Sequence, residues 1–155
     1  MDNLVNASLT NRAQDSSYGD WGGWARTLER FVDMTKCLLI DEDGTGRRHL
    51  QQMLSGLGLD TSLRAGADDA LQFCNDNAPD VVMLSAGTRG VIPRELVKRL
   101  RFSAKGKPPV VFLYAEHPDT EMFGQTILEG AADILMMPFD RELLQFKLQQ
   151  AGVID

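Results

Sequence analysis

Three short runs, CLLID at 37–41, DVVML at 80–84 and PVVFL at 109–113, are almost wholly apolar. A strand with one wet face alternates apolar and polar residues. One that is apolar throughout is covered on both faces, as in a parallel sheet between two layers of helices. Between these runs the apolar period lengthens from two to about 3.6. Arg47–Gly58 puts Leu50, Met53, Leu54 and Leu57 on one helical face, Asp68–Asn77 carries Ala70, Leu71 and Cys74, and Pro93–Phe102 turns Leu96, Val97 and Leu100 inward. Thr61–Arg64 reads as a weaker strand, Thr120–Gly130 as a helix, Asp133–Met136 as a fifth strand and Arg141–Ala151 as the last helix. Strand and helix alternating five times predict an α/β domain, a doubly wound five-stranded parallel sheet of (βα)5 type.

The chain ahead of this pattern is different in kind. Residues 1–20 are polar and read as a flexible tail. From there Trp21, Trp24, Leu28 and Phe31 recur at three- and four-residue steps, which predicts an extra amphipathic N-terminal helix over 21–34. Gly22 and Gly23 weaken its first turn. Such a stripe needs cover, either from its own domain or from a partner or second copy, since tryptophans are enriched at interface hot spots.

Composition narrows the functional classes. The 155 residues suffice for one domain with a proper core, and a net charge of −6 argues against nucleic-acid binding, which needs clustered cations. The basic residues Arg47, Arg48, Lys98, Arg99, Arg101, Lys105 and Lys107 read as solvated faces. Cys37 and Cys74 lack metal-ligand spacing and suit a reducing compartment. With no apolar run long enough to span a membrane and no secretory signal at the first residues, a cytoplasmic protein with no membrane partner is expected. His49 and His117 have no evident catalytic partners, and no phosphate-binding loop of the Walker type occurs, so neither an enzyme nor a resident cofactor is expected.

In doubly wound sheets the chemistry lies beyond the carboxyl ends of the strands. Those ends hold Asp41, Glu42 and Asp43, then Ser85, then Tyr114 and Ala115, then Met137, Pro138 and Phe139. The segments LLIDED, PDVVMLS, VVFLYA and GAADILMMPFD, in this order, resemble the strand ends of bacterial response-regulator receiver domains, whose fold is flavodoxin-like. The resemblance covers roughly residues 36–155. It implies an acidic pair after strand one that holds Mg²⁺, an aspartate after strand three that accepts a phosphoryl group, and a Ser or Thr and a Lys that contact that group.

This chain keeps only part of that set. Asp41 and Glu42 match the acidic pair, while Ser85 stands at the phosphoacceptor position, Tyr114 at the small hydroxyl position and Met137 at the lysine position, with Pro138 retained. A serine hydroxyl is a poor nucleophile without a base, and Met137 cannot supply a charge-assisted contact. Two adjacent carboxylates alone make a weak Mg²⁺ site, so Asp41 and Glu42 are expected to be a solvated turn rather than a metal centre. Tyr114 is expected to turn inward over the emptied pocket, with Met137 filling the apolar remainder.

The resemblance then implies a phosphorylation-independent signalling adaptor that binds a protein partner: a kinase, a phosphotransferase or another regulator. A homodimer is a further option. The absence of an output domain after Asp155 favours an adaptor over a transcription factor. Receivers commonly meet partners through helix four, strand five and helix five, which here brings forward Phe123, Gln125, Thr126, Asp133, Leu135 and Gln145. The alternative is a small-ligand sensor for a nucleotide, with Gly44, Gly46, Arg47 and Arg48 near its phosphates.

Overall fold

The computed structural model describes residues 34–103 and 106–155. The expected tail and the helix stripe of Trp21, Trp24, Leu28 and Phe31 lie outside them. The order is β1 (Lys36–Ile40), α1 (Gly44–Gly56), β2 (Asp60–Arg64), α2 (Ala67–Asn77), β3 (Val81–Ser85), α3 (Pro93–Ser103), β4 (Val110–Ala115), α4 (Thr120–Glu129), β5 (Asp133–Met136) and α5 (Arg141–Gln150). All strands are parallel in one sheet of order β2-β1-β3-β4-β5. The doubly wound (βα)5 sheet expected from the apolar runs is the observed fold.

Period-two alternation sorts the strand side chains between two cores. Cys37, Leu39, Val81, Met83, Phe112 and Leu135 face α1 and α5, where they meet Leu50, Leu54, Leu144 and Leu148. Leu38, Ile40, Val82, Leu84, Val111 and Leu113 face the opposite way, onto Ala70, Leu96, Val97 and Leu100 of α2 and α3. This is why the central strands are apolar through their middles, with polar residues such as Lys36 and Ser85 only at their ends: both sides of each are packed. Fully burying each such side chain contributes about 1.5–3 kcal/mol.

The helices are stopped and started by specific groups. Asp119 and Asp140 cap α4 and α5, their Oδ1 atoms accepting from Met122 N–H at 3.0 Å and Leu143 N–H at 2.8 Å. Two arginines close helix carboxyl ends on opposite faces of the sheet. Arg141 Nη2 donates to the Gly56 carbonyl at 2.5 Å, and Arg101 Nη1 to the Glu129 carbonyl at 2.6 Å. The second contact needs glycine at 130. There φ is +119°, and a Cβ would lie 2.9 Å from Arg101 Cδ.

Sequence expectations about boundaries shift by a residue or more at several ends, Ser85 falling inside β3 among them, and two of the shifts matter most. The first helix begins at Gly44 rather than Arg47, and Tyr114 and Ala115 lie inside β4 rather than after it. Both extensions move residues toward the carboxyl edge, where the site is built.

Candidate functional site

Asp41, Ser85 and Tyr114 meet because of sheet register. Ile40 pairs with Leu84, and Ser85 with Tyr114. The alternation that places Leu39, Met83 and Phe112 on one face places Asp41, Ser85 and Tyr114 there too, two residues on. Three neighbouring strands thus present a carboxylate, a hydroxyl and a phenol at one level.

The expectation of a solvated acidic turn fails at Asp41, which is only 4% exposed. The Asp43 N–H donates to Asp41 Oδ1 at 2.8 Å, and the Tyr114 hydroxyl donates to Oδ2 at 2.5 Å. Arg47 Nη1 donates to the Asp41 carbonyl at 3.0 Å. That arginine is folded back on the strand end instead of standing free at the helix start. The Tyr114 ring is buried, also 4% exposed, within the core of the α1/α5 face. Burial chiefly, then the bond to Asp41 and its charge, push the phenol above its ordinary ionisation range. Ser85 and Arg47 oppose that shift weakly.

Glu42 is held by Arg89. Its Oε1 accepts from the Arg89 N–H at 3.1 Å and lies 3.7 Å from Arg89 Nε, tying the loop after β1 to the loop after β3. Ser85 Oγ accepts from the Gly87 N–H at 3.3 Å. Met137 is half-buried against the same core as Tyr114, and its N–H donates to the Ala115 carbonyl at 2.8 Å. Pro138 follows through a cis peptide bond and is exposed.

A cleft of about 450 Å³ opens over these groups, lined by Asp41, Glu42, Ser85, Tyr114 and Met137 together with Glu116 and Asp119. Among the described residues no lysine or arginine lines it. Glu116 and Asp119, from the loop after β4, are not among the site residues expected from the sequence, and His117, expected there to have no catalytic partner, lies beside them on the cleft wall. The rule that selected Tyr114 and Ala115 would have found them had it been carried a few residues further.

The residues do not fit Mg²⁺, the ion that the receiver resemblance implies. Mg²⁺ takes near-octahedral oxygen ligands, with free lone pairs on at least one or two carboxylates. Here each oxygen of Asp41 already accepts a hydrogen bond from a protein donor, Oδ2 from a phenol seated in the core, Glu42 is held by Arg89, and Ser85 is neutral. Among the described residues no group of three or more His, Cys, Asp or Glu is placed to hold a metal ion.

Thr88, in the loop after β3, is 3% exposed, and its hydroxyl has no hydrogen-bond partner among the described residues. Thr88→Val keeps the shape and removes the desolvated hydroxyl. It is expected to leave stability unchanged or raise it by up to about 1 kcal/mol. Denaturant unfolding checks this, and a loss of stability would mean that the hydroxyl is satisfied in solution.

The expected partner face needs correction at two positions. Thr126 is fully buried, its Oγ1 donating to the Met122 carbonyl at 2.7 Å, and Leu135 lies in the core. The alternation that puts Ile134 on one face of β5 puts Leu135 on the other, against Phe112 and Tyr114. Phe123 and Gln125 are half-buried, Asp133 pairs with Lys147 Nζ at 2.5 Å, and Gln145 is exposed. The outward apolar side chains of these elements are instead Ile127 and Leu128 on α4, Met136 on β5, and Leu143 and Phe146 on α5.

No family model matches the chain. A two-component response regulator of Oryza sativa subsp. japonica is 27% identical over 119 residues, which are 75% of this chain and 18% of that protein. A transcriptional regulatory protein of Streptomyces coelicolor is 24% identical over 116 residues, 75% of this chain and 50% of that one. The chain thus spans half or less of these curated relatives. Among solved structures, the signal receiver domain of an HD domain-containing protein from Pseudomonas fluorescens Pf-5 has a TM-score of 0.69 at 26% identity, covering 77% of this chain and 94% of that one. A chemotaxis response regulator of Vibrio cholerae has a TM-score of 0.68 at 23% identity, covering 78% and 99%. Five-stranded topology, strand-end residues in receiver order and these relatives agree: residues 36–155 have the fold of response-regulator receiver domains and resemble them in sequence.

Proposed function

We propose that this receiver domain works in two-component signalling, or a related regulatory circuit, as a cytoplasmic adaptor that binds a protein partner without being phosphorylated. The observation that carries the reading is the Tyr114–Asp41 hydrogen bond at 2.5 Å. It crosses the place where a receiver handles its phosphoryl group, beside a serine at the acceptor position and a methionine at the lysine position. A buried phenol bonded to a buried carboxylate holds one arrangement, so binding, rather than group transfer, is what remains for the domain to do.

The partner surface that this reading favours is α4–β5–α5, because its apolar residues are outside. Leu128 is 86% exposed and Phe146 is 56% exposed. Neither helps the fold by standing in water, and each is a suitable anchor for a partner kinase, phosphotransferase or other regulator. A nucleotide-sensing role is not favoured, since the cleft that would take phosphates is lined by carboxylates and Arg47 is engaged with the Asp41 carbonyl.

Two measurements test the proposal. Beryllofluoride with Mg²⁺ should leave the amide spectrum around Asp41, Ser85 and Tyr114 unchanged. A concerted shift that included α4 and β5 would mean that a carboxylate still takes a phosphoryl group. Leu128→Asp and Phe146→Asp should each weaken capture of the cellular partner by at least about tenfold, with little change in stability because both sites are exposed. Undiminished capture by both variants moves the interface elsewhere.

A further inference from the structure

Asp41 is the one buried acidic side chain among the described residues. Its carboxylate is held from two sides. The Asp43 N–H fixes Oδ1, and that orientation aims Oδ2 at the Tyr114 hydroxyl. The phenol arrives from β4 on a ring packed in the core, so its hydroxyl is presented without the ordering cost that a free ligand would meet. A hydrated Mg²⁺ would have to lose part of a tightly held water shell to displace a donor that is already tethered in place.

We propose that the Tyr114 hydroxyl is a built-in occupant of the acidic site: by bonding Asp41 Oδ2 it shuts divalent cations out, and its removal opens a cation site at Asp41. The side chain that closes the site also joins it to the hydrophobic core, through Phe112 and Leu135 on the same face of the sheet. The inference builds on the reading of the domain as phosphorylation-independent, but it can fail separately from that reading.

The test is a Mg²⁺ titration of the full 155-residue chain at constant ionic strength, followed by amide shifts at Asp41–Asp43 and Ser85–Gly87 and by thermal unfolding. The unaltered protein should show no saturable shift up to about 20 mM Mg²⁺ and no rise in Tm. Tyr114→Phe should show saturable shifts at those amides and a Tm that climbs with Mg²⁺, because the ion then binds only the folded state. Ser85→Asp supplies a further carboxylate while leaving the phenol in place, and it should remain as inert as the parent. The Ser85→Asp, Tyr114→Phe double variant should bind more tightly than Tyr114→Phe alone.

A saturable response in the unaltered protein overturns the proposal. So does a folded Tyr114→Phe variant that ignores Mg²⁺, or Mg²⁺ binding by Ser85→Asp alone. Should Tyr114→Phe not fold, the Ser85→Asp result decides. A parent protein that binds Mg²⁺ but not beryllofluoride removes this inference and leaves the adaptor reading standing, whereas a response to beryllofluoride removes the adaptor reading.

Discussion

Stability is expected to stay level from neutral pH to about 9 and then to fall by about 4 kcal/mol before pH 11. Two buried protons produce the drop. The Cys37 thiol, 1% exposed, is pushed by burial from its ordinary 9.0 to about 12. The Tyr114 phenol is raised above its ordinary 10.0, by burial first and by its bond to Asp41 second. A group whose folded value lies above its unfolded value keeps its proton in the native state after the unfolded chain has lost it. Alkali therefore favours unfolding, beginning at the unfolded value, with a slope of about 1.4 kcal/mol per pH unit for each group. From pH 9 to 11 Cys37 contributes about 2.7 kcal/mol, and Tyr114 about 1.4 kcal/mol above pH 10. Cys74, only half-buried and pushed up to about 11, pulls the same way but is partly screened by solvent. Denaturant unfolding at stepped pH measures the slope. Tyr114→Phe should remove about one proton from it above pH 10, and a flat profile to pH 11 would contradict the burial of both groups.

Tyr114→Phe itself is expected to cost about 2–3 kcal/mol at neutral pH. The ring remains packed, so the loss is not a cavity. It comes from leaving a carboxylate oxygen buried without its donor, which is dearer than losing an exposed hydrogen bond. Pairing the change with Asp41→Asn separates the two parts. A double-mutant cycle should return a coupling of about 1–3 kcal/mol between the side chains, since each alone strands the other. A loss below about 0.5 kcal/mol for Tyr114→Phe would mean that the phenol is not donating to Asp41 in solution.

Much of this site was legible before any coordinates. The carboxyl-edge rule singled out Asp41, Glu42, Asp43, Ser85, Tyr114, Ala115, Met137, Pro138 and Phe139, and all of these except the exposed Pro138 and the core residue Phe139 line the cleft. Their side-chain partners were not legible. The clasp between Glu42 and Arg89 joins residues 47 apart in sequence, and Arg47 bends back onto a backbone carbonyl that no side-chain motif announces. Thr126 and Leu135 were assigned to the surface by analogy of position, although the alternation of β5 and the inward line of Met122, Phe123 and Thr126 place them inside.

The apolar runs at 37–41, 80–84 and 109–113, alternating with helical periods, determined a parallel sheet covered on both faces, because strands without a polar side have to be packed on both. The sequence likewise places Ser85, Tyr114 and Met137 where the receiver resemblance implies an aspartate, a small hydroxyl residue and a lysine. Only the tertiary structure decided how these side chains are arranged. Whether Asp41 is wet or buried, and whether Tyr114 points at it or at solvent, depends on strand register and on the depth of the edge beneath α1. Those are long-range properties, set by residues 73 positions apart meeting at 2.5 Å, and local pattern carries no information about them.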